Sequence, residues 1–567
     1  MKNKNDAPST PVRILPGIIL LALQYGSRFG LPLVDDPLGM QLGMMGGLVF
    51  GLGIFIWWVF FSRIPSFERW GAFLLATVLL ILTPFALHES IRTAQMGLAY
   101  FFHAIPTVSF VLVAWAVARR FLSLSAQRIS LAAIILIACG ASVFFRSAGM
   151  DGDGNLDVRW RWSATSEARL LSGGMSTGIA SKESAGSGLA DWPGFRGPQR
   201  DGSARGLRIR SDWNKNPPAL DWRRAVGPGC SSFAARGEFF FTQEQRGENE
   251  LVSCYRLSDG TPVWTHADKA RFWDSHAGAG PRATPTLSGE RMYALGGTGL
   301  LNALDPRDGR VIWKRDLAAE LGVKAPHWGF SASPLVVGDV VIAALAGKMA
   351  AFHAATGAPR WTGIDGSNGY SSPHAITLQG VEQVLHMNQS GALAVSPESG
   401  AVLWQFPLTR IDRILQPYQM PGGDLLLMDE EFKGLRRVSV RSNASKWSVT
   451  PRWYAEDVKL YFNDFVVHKG HAFVFDNAKL ACVNLENGKR AWRGERRDQG
   501  WLLLVADDDL LIVLSEKGEL SLTRAAADRF EELGRFKALA GKTWNHPALA
   551  GNLLLVRNAE EMAAYRL

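Results

Sequence analysis

One short phrase recurs down the second half of the chain: an apolar strand, a D-x-x-x-G-like turn, and a tryptophan three or four residues later. It reads YRLSDGTPVW at 255–264, ALDPRDGRVIW at 303–313, FHAATGAPRW at 352–361, VSPESGAVLW at 395–404 and VNLENGKRAW at 483–492. Self-similarity at such a period marks a repeat architecture. Each copy opens on small polar residues and proline, as in ATPTL at 283–287, SASPLVV at 331–337 and YSSPHAITL at 370–378. Short strands at even spacing, separated by such turns, predict four-stranded blades arranged around an axis.

Counting openings and endings predicts eight blades. Five end in the tryptophans above. A degenerate one covers about 414–455, with Trp447 or Trp453 in the tryptophan position, and another covers about 500–539 and ends in Phe536. The last begins at KTWNHPALAGNLLLVRN and stops at AAYRL, one strand short; ALDWRRAV at 219–226 supplies that strand and closes the ring. Closure hides edge strands that would otherwise invite aggregation. Large aromatics bury much apolar surface and their N–H groups seek a partner. Trp264, Trp313, Trp361, Trp404 and Trp492 therefore read as clamps between blades.

The first half differs. Residues 1–146 carry five apolar stretches, at about 14–34, 43–62, 71–88, 97–118 and 129–145, most of them near the length that crosses a bilayer. Arg28 makes the first the least apolar. Lys2, Lys4 and Arg13 precede the first stretch, Arg63 and Arg69 lie between the second and third, and Arg119, Arg120 and Arg128 lie between the fourth and fifth. That asymmetry predicts a multi-pass inner-membrane domain with a cytoplasmic N-terminus and everything after residue 146 on the periplasmic side. The net charge of +9 is spread out, with no dense Lys/Arg block, so no nucleic-acid partner is expected.

Residues 147–190, rich in Gly, Ser and Ala in their second half, read as a flexible linker before a propeller over 191–567. Asp151, Asp153 and Asp157 alternate around glycines, but Leu156 and Trp162 stand where an EF-hand needs glycine and glutamate, so an EF-hand is excluded. Four cysteines are too few for a disulfide framework. Cys230 and Cys254, read as lying on the first and third strands of one blade, would be about 9–10 Å apart, beyond disulfide reach; free, buried thiols are expected.

These repeats resemble the PQQ-binding-like β-propeller family, which includes the quinoprotein dehydrogenases and the outer-membrane assembly scaffold BamB. WPGFRGPQRDG at 192–202, GKTWNHPAL and RNAEEMAAYRL resemble the opening and closing segments of non-enzymatic bacterial members. The enzyme branch implies PQQ stacked on a tryptophan, Ca²⁺ held by Glu, Asn and Asp, and an aspartate base. The blades here are short, and no carboxylate–amide–carboxylate set stands out at their openings.

Channel-mouth candidates for a ligand or cofactor are Trp273, Asp274 and His276 before the second blade, His327 and Trp328 before the third, Asn463 and Asp464 at the sixth, and Asn545 and His546 at the eighth. Arg282, Ser331, Ser371, Gln416, Asn463 and Asn545 are expected to form a polar ring around the axis. No G-x-S-x-G elbow, P-loop or zinc spacing is present. The sequence reading is a non-catalytic binding or scaffold module, with the lipid bilayer and envelope proteins or peptides as partners and no cofactor. The alternative is a PQQ- and calcium-dependent sugar or alcohol dehydrogenase passing electrons to quinone.

Overall fold

The computed structural model describes residues 12–33, 37–172, 179–180, 191–364, 368–430, 433–443, 446–496 and 498–567. The chain divides into two compact units, Met1–Ser163 and Ala164–Leu567.

Among the described residues of the helical unit, four helices are long and apolar enough to cross a membrane: Gly39–Phe61, Ser66–Ala86, Ala99–Phe121 and Leu124–Phe144. The first expected stretch departs from a plain span. It is an α-helix only over Leu15–Tyr25, then a π turn over Gly26–Gly30 and a 3₁₀ turn over Leu31–Leu33. Two glycines, Ser27 and Pro32 there weaken regular α-helix. This broken helix still runs antiparallel to the next one along its length. The Trp57 indole donates to the Arg13 carbonyl at one end, and Gln24 donates to the Gly47 carbonyl midway. At the far end Gly43 would bring a Cβ to within 3.1 Å of Pro32. The basic ends of the helices meet on one side, where Arg128 pairs with Glu68 at 3.1 Å and Gln127 donates to the Arg119 carbonyl. The opposite side gathers the ends of two spans, and Arg161 donates to the carbonyls of both Ala86 and Val143.

The interval read as linker is not structureless. Phe145–Met150 and Leu156–Trp160 form an antiparallel hairpin. Its turn is closed by Asp151, whose carboxylate accepts from the Asn155 backbone N–H at 2.7 Å and from its side-chain amide at 3.1 Å. A helix follows at Ser166–Ser172, and Ile179–Ala180 pairs with the strand around Trp222. The remaining residues between 173 and 190 lie outside the described ones.

The second unit is an eight-bladed propeller. Its four-stranded sheets span 234–269, 286–316, 335–364, 374–407, 418–455, 466–496 and 500–537, and the eighth joins 548–566 to Ala219–Ala225. The closing strand pairs Trp222 with Ala564, as the missing outer strand of the last blade.

The tryptophans act between neighbouring blades. Each turn glycine adopts a positive φ of 66° to 74° (Gly260, Gly309, Gly357, Gly400, Gly488), a region that disfavours side chains. A Cβ there would also strike the tryptophan of the preceding blade: Trp222 at Gly260, Trp264 at Gly309, Trp313 at Gly357, Trp361 at Gly400 and Trp453 at Gly488. The indole N–H completes the join, for example Trp264 to the Pro306 carbonyl at 3.1 Å and Trp313 to Ala354 at 3.0 Å. Trp453, not Trp447, fills the tryptophan position of the fifth blade and donates to the Leu485 carbonyl. Trp404 departs from the pattern and donates to Gln383 of its own blade. The fifth blade faces it with the long hairpin strands Lys433–Asn443 and Lys446–Ala455 in place of a glycine turn.

The fifth blade's innermost strand is only Tyr418–Gln419. The buried Arg413 compensates: its guanidinium donates to the carbonyls of Asn388, Gln389, Thr409, Met428 and Asp429. Cys139, Cys254 and Cys482 are free and buried; Cys230 is also free but half-exposed, and it precedes the first strand of its blade instead of lying on it.

Candidate functional site: the inner ring of the propeller

The innermost strands start at residues that follow a polar–proline step or its equivalent. The residue before proline is biased towards extended backbone, and proline itself is tolerated at a strand start because it gives up no ladder bond there. The polar side chain ahead of each proline is thus held facing the neighbouring blade, and together these side chains form a continuous girdle.

Each strand start donates a backbone N–H to a side chain of the next blade. Ser232 donates to Thr284 Oγ1 at 3.0 Å, Thr284 to Ser333 Oγ at 3.0 Å, and Ser333 to Ser372 Oγ at 2.9 Å. Ser372 then donates to Gln416 Oε1 at 3.1 Å, and Gln416 to Asp464 Oδ1 at 2.7 Å. Side chains and backbone complete the circle. Asn463 Nδ2 donates to the Gly500 carbonyl at 2.7 Å, and the Thr543 N–H donates to the Glu516 carbonyl. Asn545 Nδ2 donates to the carbonyls of Gly229 and Ser231 at 3.0 and 2.7 Å.

Of the residues expected in the ring, Gln416, Asn463 and Asn545 lie in this girdle, as does Asp464, expected at the channel mouth. Ser331 and Ser371 are displaced from it by one or two positions: Ser331 Oγ donates to the Tyr370 carbonyl, while Ser333 and Ser372 occupy the ring. Ser232, Thr284 and Glu516 were missed. The usable signal was the side chain immediately before proline in Thr284-Pro285, Ser333-Pro334, Ser372-Pro373 and Gln416-Pro417.

A second missed element is the lead-in segment. Trp192 exchanges two backbone hydrogen bonds with Ala235 in the first blade, and the Pro193 carbonyl accepts from Leu287 in the second. Arg200 donates to the carbonyls of Ser333 and Pro334 in the third. Arg196 donates to the Phe465 carbonyl and pairs with Asp464 at 3.2 Å in the sixth. Ser203–Ala204 adds a parallel strand to Leu504–Val505 in the seventh, and Phe195 packs edge-on against His546 in the eighth. A segment that meets six of eight inner strands crosses the axis.

Asp464 is the hub. It accepts from Gln416 and Arg196, and its other oxygen lies 3.3 Å from His546 Nε2. Burial pushes its carboxyl up, but Arg196 and the His546 hydrogen bond outweigh that and hold it below the usual range. Burial lowers His546 against the pull of Asp464, so the imidazole is neutral beside a charged carboxylate. His546 also lies over Trp501, with centroids 4.1 Å apart.

The remaining candidates form an adjoining cluster. Asp274 accepts from Arg282 at 2.5 Å and from the backbone N–H groups of His276 and Ala277. Burial raises its carboxyl, and Arg282 reverses the effect. His276 packs edge-on to His327 at 5.1 Å and near Trp328 at 6.2 Å, and Trp328 lies 4.9 Å from Tyr370. Lys542, next to the eighth blade's opening, donates to the His276 carbonyl and sits 4.1 Å over the Trp544 ring. Trp273 pairs through its backbone with Ala279 in a two-residue hairpin. Nearby, burial raises the Glu250 carboxyl to about 7 despite the Gly297 N–H and Arg282.

A PQQ–calcium site needs free carboxylate and amide oxygens converging on one point. Here the Asp464 and Asp274 carboxylates are bound by arginines and backbone N–H groups; the Nδ2 groups of Asn463 and Asn545 bridge blades, and among the described residues Asn463 Oδ1 is the ring amide oxygen left buried without a partner. Among the described residues no three His, Cys, Asp or Glu side chains converge as a metal site. This arrangement does not fit that group.

Residues 222–418 match the family model described as outer membrane protein assembly factor BamB. BamB of Yersinia pestis is 24% identical over 304 residues, covering 49% of this chain and 71% of that protein. The quinohemoprotein alcohol dehydrogenase ADH-IIG of Pseudomonas putida is 24% identical over 294 residues, which is 47% of this chain and only 34% of the enzyme. In three dimensions the quinohemoprotein alcohol dehydrogenase of Comamonas testosteroni aligns with a TM-score of 0.50 at 12% identity, over 66% of this chain and 80% of the enzyme, a likeness of fold alone. Together with the glycine–tryptophan joins and the eight closed blades, these matches show that the second half of this chain is a β-propeller similar in its repeats to BamB and to the PQQ-like β-propeller proteins.

Proposed function

We propose that this protein is a membrane-anchored, non-catalytic binding or scaffold module whose propeller works on the extracytoplasmic side of the inner membrane. The observation that carries the non-catalytic reading is the state of the inner ring. Most of its hydrogen bonds run to neighbouring blades, with Asn463 Oδ1 left over, and the lead-in segment lies across the axis where an enzyme of this fold would need room for cofactor and substrate. The similarity to BamB supports envelope proteins or peptides as partners.

The arginine distribution supports the placement. Arg63, Arg69, Arg119, Arg120 and Arg128 all lie near the same ends of the four long helices, and such residues favour the cytoplasmic side. The broken first helix, antiparallel to the second, brings the number of passes to five and sets residue 145 on the opposite side from Arg13. A reporter fused after residue 163 is expected to be active only outside the cytoplasm; activity inside would reverse the assignment.

The test of function is a photo-crosslinker at exposed His327, in whole cells. The expected result is a discrete adduct with one envelope polypeptide, lost when Trp328 is changed to Ala. The dehydrogenase reading, favoured by the ADH-IIG similarity, makes the opposite prediction. Dye reduction with alcohols or sugars after adding PQQ and Ca²⁺ to the purified chain, abolished by Asp464→Asn, would sink the scaffold reading.

A further inference from the structure

The hairpin that follows the last long helix carries an exposed apolar face. On its outer strand, Leu156, Val158 and Trp160 alternate with Asp157 and Arg159, so the apolar and charged side chains point to opposite faces. Arg159 and Asp157 pair with each other at 2.8 Å. Val158 is 52% exposed, Trp160 59% and Trp162 71%. Trp160 stacks on Phe145 at 4.8 Å, and Trp162 lies 5.9 Å from Phe144, the last residue of the Leu124–Phe144 span.

The level of this face relative to the helices is fixed by contacts. Arg161 caps two helix ends at once, through the Ala86 and Val143 carbonyls. A Cβ at Gly154 in the turn would lie 3.1 Å from the Met40 sulfur, at the start of the Gly39–Phe61 span. Other exposed apolar side chains lie at the same helix ends, including Phe85 and Met96. The opposite ends carry their own exposed aromatics, Phe60, Phe67, Trp70 and Phe121, beside the arginines. A span of 21 residues rises about 31 Å, close to the thickness of a hydrocarbon core. Two aromatic bands that far apart match the two interfaces of a bilayer, where tryptophan is favoured for its apolar body and its N–H donor.

We propose that the hairpin Phe145–Trp160, with Trp162, is an interfacial membrane element: its outer strand lies in the phospholipid headgroup layer. The Val158, Trp160 and Trp162 side chains enter the upper acyl region, and Arg161 stays at headgroup level. This rests on the membrane reading of the helical unit. It makes the first part of the interval after residue 146 a lipid-bound platform that fixes where the chain leaves the bilayer.

The test uses the full chain in nanodiscs of phosphatidylcholine and phosphatidylglycerol, in a Cys230→Ser background that leaves three buried cysteines. Nitroxide labels at Trp162→Cys, Val158→Cys, Phe110→Cys and Lys446→Cys are compared by power saturation with oxygen and a water-soluble nickel chelate. Phe110, exposed midway along Ala99–Phe121, reports on the membrane reading; exposed Lys446, on the propeller, gives the aqueous reference. The expected result is deep oxygen access at 110 and chelate access at 158 and 162 at least threefold below that at 446, with oxygen access retained. Chelate access at 158 and 162 equal to that at 446, or access to neither reagent because protein covers them, would overturn the proposal while a deep signal at 110 keeps the membrane reading. Aqueous behaviour at 110 would overturn both.

Discussion

Arg196 of the lead-in segment and Asp464 at the opening of the sixth blade form a buried ion pair at 3.2 Å, both side chains less than a tenth exposed. They are 268 positions apart in the chain, so the pair ties the segment that crosses the axis to the ring it crosses.

Breaking that pair on one side leaves a buried charge uncompensated, which typically costs about 3–5 kcal/mol. Asp464→Leu is expected to lower the thermal midpoint of the propeller sharply, as is Arg196→Met. The double variant should lose clearly less than the sum, because two apolar side chains can occupy the space of a paired charge. Near-ultraviolet circular dichroism on the four proteins measures it; additive losses would mean that the residues act independently.

The glycine–tryptophan joins predict a second coupling. Trp313→Ala removes a large aromatic, at a cost of about 3–5 kcal/mol. Gly357→Ala forces a Cβ to within 2.7 Å of the same indole at a φ of 70°. Combined, the clash vanishes with the ring, so only the backbone strain should remain on top of the Trp313→Ala loss. Urea midpoints of the single and double variants test this.

Glu250 supplies a pH dependence with a definite sign. Its carboxyl is raised to about 7 from an ordinary 4.5, chiefly by burial, so the folded state holds a proton that the unfolded state has released. The associated stability is present below about pH 4.5 and is lost as pH rises through 7, by about 3 kcal/mol in all. Glu250→Gln should be more stable than the parent at pH 8 and nearly equal to it at pH 4.5. Thermal midpoints across that range decide it.

Two buried histidines act in the opposite direction. Burial lowers His386 to about 4 and, together with Arg200 and Arg196, lowers His374 to about 3. Both stay neutral in the fold, so their contribution is present above about pH 6.5 and is lost as pH falls towards 4 and below. Among the described residues His386 has no partner for either ring nitrogen, so His386→Leu should keep the fold and move the acid transition to lower pH. An unchanged acid midpoint would assign the acid sensitivity elsewhere.

The propeller was legible because its signal is periodic and local. Glycine at positive φ and tryptophan four residues on are each required by the same join, and repetition makes the requirement visible. The closing strand could be counted for the same reason: a missing fourth strand must be supplied from somewhere. The inner ring was half legible. A serine before proline looks like any loop serine until the neighbouring blade is set beside it, so Ser333 and Ser372 were displaced to Ser331 and Ser371. The axial crossing was not legible. Arg196 and Arg200 find their partners only once the ring exists, and their targets are mostly backbone carbonyls, which every sequence offers equally. The first helix was legible as an apolar stretch, but its π turn was not, because glycine and serine weaken a helix without saying how it will break.

The girdle has a geometric consequence. Its links are not of equal length: serine and threonine hydroxyls join the first four blades, while longer glutamine, aspartate and asparagine side chains join the later ones. The side chains that hold neighbouring blades together therefore differ in reach around the circumference, short hydroxyls on one arc and longer carboxamide or carboxylate groups on much of the other. Arg196 meets Asp464 on the long-linked arc. Lengthening a short link, as in Ser333→Asn, would redistribute spacing around a circle that has no free end to absorb it.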